Sequence, residues 1–453
     1  MKRLIIIAAA IALTLLPQSV WAQSDSVSKQ NTLSFGINFL THGETCGGGL
    51  PRTDNVSATE DRSHFLFGRT RLNVDFERKG LQVHAVIQNK AVWGMSGNQS
   101  LNLYEGWAKI TAKNGLFAQL GRVALAYDDE RIIGTNDFAT AALSHDVIRV
   151  GYEGHGHKAH AILAYNQNGG NVYDGTYYVD GAQHYKTMQT VWYHYDVPNF
   201  PLGASLLFMN IGQQAGEFRT VDYKKVPDVS NPPSTKYQQM WGAYMKFHPK
   251  HLTLEGSYYR QTGDLVSQLA PITIKAWMAS VKATISPADS YSFQIGYDYL
   301  SGDDYVPVAY GGPLVMVLHR EIRGFTPLYG SRTKFYGIMD YFYESAYTNG
   351  FTPGLQNAFI GIKAKPTTKL ELGVTYHYLA VATKLNELNR TLGHSIELQA
   401  GYRFSKDIAL QAGYTMMFGT ETMDRLKQGG SDKSARWGWF SLVVSPSLFT
   451  VKW

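Results

Sequence analysis

The segment from Ile396 to Phe418 constrains the fold of this chain more than any other, because its apolar residues recur at every second position. The alternation runs from Ile396 to Phe404, stops at a short turn, and resumes from Ile408 to Phe418. A period of two is typical of β-strands, whose successive side chains point to opposite faces. One face carries aliphatic and aromatic side chains and the other carries Glu, Gln, Gly and Arg, which suits a wall between hydrocarbon and water. The pattern predicts a transmembrane β-barrel.

Eighteen strands are expected along the chain. They lie near residues 32–40, 65–77, 80–93, 101–112, 115–124, 146–154, 157–167, 185–196, 202–212, 236–248, 250–262, 272–285, 289–301, 356–366, 368–382, 394–405, 407–418 and 435–444. The alternation is weakest in 185–196 and 202–212. An even number of strands is what a closed bacterial barrel requires.

The connections between these strands alternate in length. Eight short turns, such as Arg78-Lys79 and Lys113-Asn114, separate nine longer links, of which residues 302–355 form the longest. In an outer-membrane barrel the short turns are periplasmic and the long loops face outward, whereas a soluble β-sandwich has no reason to sort its loops in this way. The sequence therefore predicts an all-β fold, a transmembrane antiparallel β-barrel of about 18 strands in a single domain.

The N-terminus indicates where such a barrel resides. A basic start at Met1-Lys2-Arg3, an apolar core from Leu4 to Leu16 and small residues before Gln23 are typical of a secretory signal peptide. We expect residues 1–22 to be removed and residues 23–453 to form the barrel in the bacterial outer membrane. Outer-membrane lipid and the outer-membrane assembly machinery are then its expected partners. The alternating terminal residues Phe449, Val451 and Trp453 form a candidate insertion signal, although Pro446 interrupts the ladder before them.

Charge excludes one class of partner. The chain has 42 Lys and Arg against 36 Asp and Glu, and removal of Lys2 and Arg3 leaves 40 against 36, a net charge of only +4. This small excess does not indicate nucleic-acid binding. A barrel of about eighteen strands leaves a water-filled interior, so any preference for anions must come from where the charges lie.

The inward faces of the strands supply the candidate pore-lining residues. In the second strand Leu72 and Val74 share the apolar face, which leaves Arg69, Arg71 and Asp75 on the other. The same parity places Glu105 and Lys109 inward, on the face opposite to that of Tyr104. It also places Glu397 and Arg403 inward. Arg122 shares the parity of the apolar Leu116 and Leu120, so we expect a bulge at Gly121 that turns it inward. Arg69, Arg71, Arg122 and Arg149 are the candidates for an electropositive constriction, although each charge could instead serve only to solvate its neighbours.

Two loop segments resemble the signature of the alginate export family of outer-membrane proteins. The first runs from Leu120-Gly121-Arg122 through Tyr127-Asp128-Asp129-Glu130-Arg131 to Asn136-Asp137-Phe138, and the second runs from Tyr329 to Phe342 and contains Lys334 and Asp340. The resemblance covers essentially the mature chain. It implies an eighteen-stranded barrel that passes polysaccharide or smaller anionic or sugar-like solutes through an arginine-rich pore. Asp128, Asp129 and Arg131 are expected to form an ion-pair network that folds their loop inward, with a solvated charged loop as the alternative.

Enzymatic motifs are absent from the sequence: it contains no Gly-x-Ser-x-Gly, no His-Glu-x-x-His and no phosphate-binding loop. Ser144, His145 and Asp146 are the residue types of a catalytic triad, but neighbours on an extended chain point to opposite sides. We therefore expect no enzyme, no cofactor and no metal site. A barrel-borne hydrolase and an adhesive or structural barrel are the alternatives to a channel.

The longest link, residues 302–355, is predicted to fold inward and partly occlude the channel. It exceeds what is needed to join two adjacent strands, and it contains the second family hallmark. An exposed cap over the neighbouring loops is the alternative.

Overall fold

The computed structural model describes residues 31–48, 62–95, 100–138, 142–166, 185–221, 224–265, 272–303, 321–339, 353–385, 388–427 and 434–453. The predicted signal peptide, residues 1–22, lies outside the described residues, and so does Asp340. Among the described residues, no helix is both long enough and apolar enough to cross a membrane.

The described residues form twenty-two strands, one short α-helix and one 3-10 helix, Arg332–Lys334. The strands are β1 (Thr32–Gly47), β2 (Arg62–Arg78), β3 (Leu81–Val92), β4 (Ser100–Thr111), β5 (Leu116–Val123), β6 (His145–Gly154), β7 (His157–Tyr165), β8 (Thr187–Asp196), β9 (Leu202–Ala215), β10 (Phe218–Val221), β11 (Lys224–Pro227), β12 (Ser234–Phe247), β13 (Leu252–Leu265), β14 (Ile272–Ala288), β15 (Tyr291–Leu300), β16 (Glu321–Ile322), β17 (Leu355–Ala364), β18 (Leu370–Ala380), β19 (Thr391–Arg403), β20 (Ile408–Gly419), β21 (Ala435–Val444) and β22 (Ser447–Lys452). The helix α1 (Glu421–Lys427) lies in a long loop. β10 and β11 pair only with each other, and β16 is a two-residue bridge beside β14.

The remaining strands close into one antiparallel barrel. β1 pairs with β2 on one side, and on the other it pairs first with β22 and then with β21. β22 therefore continues β21 past Pro446, whose carbonyl accepts a hydrogen bond of 3.2 Å from the Ile37 N–H. Proline lacks an N–H, so the ladder breaks for one step and then resumes. Counting β21 and β22 as one strand, the wall has eighteen strands, and each of the eighteen predicted segments coincides with one of them.

The first strand is longer than the sequence indicates. The prediction ends it at residue 40, and the three glycines after Cys46 indicate a loop there. Instead β1 continues to Gly47, and Cys46 pairs with Ser63 of β2 and Trp437 of β21. Pairing on both sides satisfies the backbone N–H and C=O groups of this segment, which outweighs the local preference of the glycines for a turn.

The two faces of the wall differ in chemistry, as the alternation predicts. On β2 the outward Leu72 is 47% exposed, whereas its inward neighbour Arg71 is only 8% exposed. The exposed face of the whole wall is apolar and aromatic, with Trp241, Trp277 and Ile362 as examples. Apolar side chains form the outer face and polar side chains fill the interior, an arrangement typical of a barrel wall between hydrocarbon and water.

A bulge in β4 changes which of its residues face inward. The β3–β4 register shifts between Val86 and Ile87, so that Tyr104 is the extra residue between Leu103 and Glu105. Tyr104 is buried and lies under the Arg71 guanidinium, on the same side of the wall as Glu105. The expectation that Tyr104 opposes Glu105 is therefore wrong, because a bulge directs two consecutive side chains to one face.

Candidate permeation pathway

Two connecting segments enter the barrel and pair with each other inside it. We call residues 124–138 loop A and residues 321–339 loop B. The Tyr329 N–H donates to the Ile132 carbonyl at 3.0 Å, and the Gly134 N–H donates to the Tyr329 carbonyl at 2.8 Å. Ile132, Ile133 and Tyr329 are buried and belong to one apolar cluster with residues of the wall. The described part of 302–355 is thus folded inward, because its apolar side chains pack on loop A.

Loop A crosses the lumen from one wall to another. Near its start the Asp128 carboxylate accepts a hydrogen bond of 3.1 Å from the Trp192 indole of β8. At its end the Phe138 ring packs edge-on against Trp439 of β21, with ring centroids 4.8 Å apart. Asp128, Glu130 and Asn136 have positive φ, a conformation that non-glycine residues rarely adopt and that surrounding contacts must hold. Burial raises the pKa of Asp128 above its usual value, despite hydrogen bonds that stabilise the ionised form.

Arg131 fixes the middle of loop A to the wall. Its guanidinium lies 3.1 Å from the Asp298 carboxylate of β15 and 3.2 Å from Asp129, and it donates to the Tyr336 hydroxyl of loop B at 3.0 Å. The guanidinium also stacks on the Phe335 ring, 4.0 Å from its centroid. Burial lowers the pKa of Arg131, but Asp298, Tyr336 and Asp129 outweigh that effect and hold the pKa well above its usual value. The expected network of Asp128, Asp129 and Arg131 is only partly formed, because Asp128 binds the opposite wall.

Glu130 joins loop A to loop B at a second point. Its carboxylate accepts a hydrogen bond of 2.7 Å from the Ser331 hydroxyl and contacts the Lys334 ammonium. Burial raises the pKa of Glu130, but the hydrogen bonds from Lys334 and Ser331 lower it by more, so the pKa lies below its usual value. The lowered pKa means that the ionised carboxylate stabilises the contact between the loops.

A chain of buried polar groups along the wall connects the anchors of both loops. The Asn357 amide nitrogen donates to Asp298 at 2.8 Å, and the Asn357 Oδ1 accepts a hydrogen bond of 2.8 Å from His377 Nδ1. The other nitrogen of His377 lies 3.7 Å from Glu397. Glu397 in turn accepts a hydrogen bond of 2.7 Å from the Ile338 N–H of loop B. Neighbouring strands β15, β17, β18 and β19 thus present one continuous polar row that binds loop A at one end and loop B at the other.

A group of basic side chains on β2 and β3 faces the tip of loop A, residues 136–138. The Arg71 and Arg69 guanidinium groups lie 2.7 Å and 3.1 Å from the same Asp137 oxygen, Oδ1. Arg71 also donates to the Gln88 side chain at 2.9 Å and stacks over Tyr104. Lys90 is the cross-strand partner of Arg69 and adds a third positive charge. We call Arg69, Arg71, Lys90 and Asp137 the basic cluster.

The other predicted lumen residues lie inward as their parity indicates, but in different contacts. Lys109 lies over the Phe117 ring and 3.9 Å from Glu153, and Arg149 donates to the Tyr127 hydroxyl at 3.2 Å. Asp75 bonds to His84, and Glu105 accepts hydrogen bonds from Trp107 and from the Ala124 N–H. Arg403 is exposed and lines a cavity at the short-turn end of the barrel. Among the described residues, no group of three or more His, Cys, Asp or Glu side chains is arranged to hold a metal ion.

Arg122 does not lie in the lumen. β5 pairs with β4 and β6 without a register shift, so the bulge expected at Gly121 is not formed. Arg122 keeps the outward parity of Leu120 and makes a two-pronged contact with Asp146 on β6, at 2.9 and 2.7 Å. Its third contact is the Leu103 carbonyl of β4 at 3.2 Å. The pore-lining prediction for Arg122 is wrong, because Asp146 on the neighbouring strand β6 pairs with the Arg122 guanidinium on the outer face.

Within the described part of the chain, cavities lie beside the loops, and two of them have polar linings. One has a volume of about 370 Å³ and extends from Phe138, Ile338 and Trp439 to a basic rim near the short turns, formed by Lys363, Lys369 and Arg403. The other, about 360 Å³, lies against the opposite wall and is bounded by Asp128, Lys158, His194 and Lys246. Both cavities are lined by basic and acidic side chains together: Glu371 also lines the first, and Asp196 also lines the second.

Three residues of this region are absent from the sequence-based candidates. Asp137 was recognisable only as part of a motif, and its partners lie on a strand far away in the sequence. Asp298 is the inward acidic residue beside the outward Tyr297, so parity could have found it. Lys90 has the inward parity of Gln88 and could also have been found by alternation.

No protein-family model matches this chain, and no curated protein matches it. Solved structures do match it in fold. Pseudomonas aeruginosa OpdL is 12% identical with a TM-score of 0.58, and the match covers 92% of this chain and 99% of OpdL. P. aeruginosa OpdF in complex with glucuronate is 10% identical with a TM-score of 0.57, covering 92% and 98% of the two chains. A BenF-like porin from Pseudomonas fluorescens Pf-5 is 9% identical with a TM-score of 0.56, covering 92% and 99%. The chain therefore has the fold of these porins, a closed antiparallel barrel of eighteen strands.

Proposed function

We propose that this protein is a bacterial outer-membrane channel through which small anionic solutes diffuse past an arginine-lined constriction beside loop A. One observation carries the proposal: Arg69 and Arg71 point inward and face a single carboxylate, that of Asp137. With Lys90 the basic cluster holds three cations against one anion, an excess of two positive charges. Charges in a narrow passage with low-dielectric walls focus their potential, so this excess attracts anions. The fold shared with porins and the glucuronate bound in one of those structures are consistent with this function.

The size of the free space supports small solutes. Loops A and B span the lumen, and the cavities beside them measure about 370 and 360 Å³. Ligand sites for small molecules typically measure about 300–1,000 Å³. Loops A and B lie across the route of a polysaccharide, the larger solute that the resemblance to the alginate export family implies.

The proposal includes the setting of the barrel. We place the exposed apolar face in outer-membrane lipid, the short turns on the periplasmic side and the long loops outside. The outward Phe449, Val451 and Trp453 of the closing strand then serve the assembly machinery as an aromatic-ended terminal strand.

Ion selectivity in planar lipid bilayers tests the proposal. The reversal potential of the parent channel under a KCl gradient should indicate an anion preference, and the double variant Arg69→Gln and Arg71→Gln should shift it toward cations. Arg219→Gln, on the exposed β10–β11 hairpin, removes one positive charge away from the basic cluster and should leave the reversal potential unchanged. A cation-preferring parent, or a double variant with an unchanged reversal potential, would contradict the proposed function. A barrel that gives no stable conductance would favour the hydrolase or adhesive alternatives.

A further inference from the structure

We infer that Asp137 is a tethered competitor for the solute: its carboxylate occupies the site on Arg69 and Arg71 that the carboxylate of a passing solute takes in turn. This inference rests on the proposed function and names the residue that sets how long an anion stays. The ligand class is a small organic acid with at least one free carboxylate.

The exposure of the three side chains points to competition rather than to a permanent structural ion pair. The side chains of Arg69 and Arg71 are only 5% and 9% exposed, whereas that of Asp137 is 48% exposed. The Asp137 side chain is therefore open to water and solutes, whereas the two arginine side chains are nearly closed to them. An anion that approaches this part of the lumen meets Asp137 first and gains the arginines by replacing it.

The arginines remain in place without Asp137. The Arg71 Nε donates to Gln88 at 2.9 Å, and the Arg71 guanidinium stacks 3.9 Å from the centre of the Tyr104 ring. Arg69 also donates to the main-chain carbonyl of Asp137 at 3.0 Å, a contact that does not involve the carboxylate. A receptor that is already ordered loses little entropy when a ligand binds, so the site accepts an external carboxylate readily.

The tip of loop A is fixed independently of the Asp137 side chain. The Asn136 N–H donates to the Ser331 hydroxyl oxygen at 3.1 Å, and the Phe138 ring packs on Trp439 and lies 5.3 Å from His42. The residues on both sides of Asp137 are thus fixed by their own contacts, so rotation of the Asp137 side chain is sufficient to break the contacts of its carboxylate with Arg69 and Arg71. Exchange needs no movement of the loop.

The consequence for transport concerns release as much as binding. Two buried arginines with no competing anion would bind a carboxylate strongly, and a channel conducts only if the solute also leaves. A tethered carboxylate that returns to the arginines shortens the residence of the solute. Removal of its charge should therefore strengthen anion binding and slow anion exit.

The test compares Asp137→Asn with the parent in planar bilayers, using sodium glucuronate as the probe. The variant should become more anion-selective by reversal potential, and the glucuronate concentration that half-blocks the chloride current should fall by about tenfold, as expected when one charge-assisted hydrogen-bond competitor is removed. Asp137→Glu should retain the behaviour of the parent. Asp228→Asn, an exposed carboxylate on the long-loop side, is the matched control and should have no effect.

The outcomes separate the two ideas. A parent channel without anion preference contradicts the proposed function itself. A parent that prefers anions, with an Asp137→Asn variant that is unchanged or less anion-selective, contradicts the competitor and shows that Asp137 only holds the arginines. Heat-modifiable electrophoretic mobility identifies a misfolded variant, and in that case Asp137→Ser is measured against the same two criteria.

Discussion

Replacement of Arg131 by Met should free the two lumen loops while leaving the barrel intact. Arg131 is 5% exposed and Asp298, its partner on β15, is 2% exposed. Loss of one partner of a buried ion pair costs about 3–5 kcal/mol, because the other charge stays buried without compensation. Asp298 retains hydrogen bonds of 2.8 Å from Ser280 and from Asn357, so we expect the lower end, about 3 kcal/mol.

This cost should appear in the docking of the loops rather than in the wall, since Arg131 contributes nothing to the hydrogen-bonded ladder between wall strands. About 1.4 kcal/mol corresponds to a factor of ten, so the undocked population should rise roughly a hundredfold. Single-channel recording would show this rise as frequent steps to a higher conductance. Liposome swelling should also admit larger neutral sugars, while heat-modifiable mobility on gels should not change.

The double variant Arg131→Met and Asp298→Asn is the control that isolates the charge. Because it removes the uncompensated carboxylate as well, it should recover part of the docking, with a coupling of about 0.5–3 kcal/mol between the two positions. If Arg131→Met conducts as steadily as the parent, or if the double variant is as noisy as the single one, the ion pair does not hold the loops and the reasoning fails.

Three further predictions follow from other parts of the barrel. The folded pKa of Glu130 lies below its usual value of 4.5, so its stabilisation of the loop contact is complete above pH 4.5 and is lost as pH falls through the lowered pKa; conductance steps should become frequent on acidification, and Glu130→Gln should abolish that dependence. Arg122→Gln should leave the reversal potential unchanged, because Arg122 lies on the outer face; a shift toward cations would show that Arg122 acts on ions in the pore. Deletion of residues 448–453 removes most of β22 and should lower the amount of barrel in the outer membrane, measured by immunoblot of membrane fractions, and normal levels would refute the insertion signal.

Much of the wall could be predicted from residue order alone. Alternation located eighteen strands, because lipid outside and water inside impose opposite chemistry on successive side chains of every strand. The same parity assigned Arg69 and Arg71 to the inner face, where the structure places them. Even the weakly alternating segments that became β8 and β9 were located, because turn residues bounded them.

Parity failed where a single residue changes the register. Tyr104 is an extra residue in β4 and turns inward beside Glu105, although nothing in the local sequence distinguishes it from a regular strand position. At Gly121 the opposite occurred: a glycine suggested a bulge, yet the pairing continues unbroken and Arg122 finds Asp146 outside. Register is decided by the pairing of whole strands, so it cannot be read from one strand at a time.

The sequence by itself determined the wall of this protein: an antiparallel barrel whose number of strands and whose two faces follow from a local period of two. Only the tertiary structure decided what fills the lumen. Arg131 meets Asp298, and Asp137 meets Arg69 and Arg71, across a lumen that brings together residues far apart in the chain. Such contacts depend on how loops cross an enclosed space and on which buried charges need partners there, and neither has a repeating pattern in the sequence.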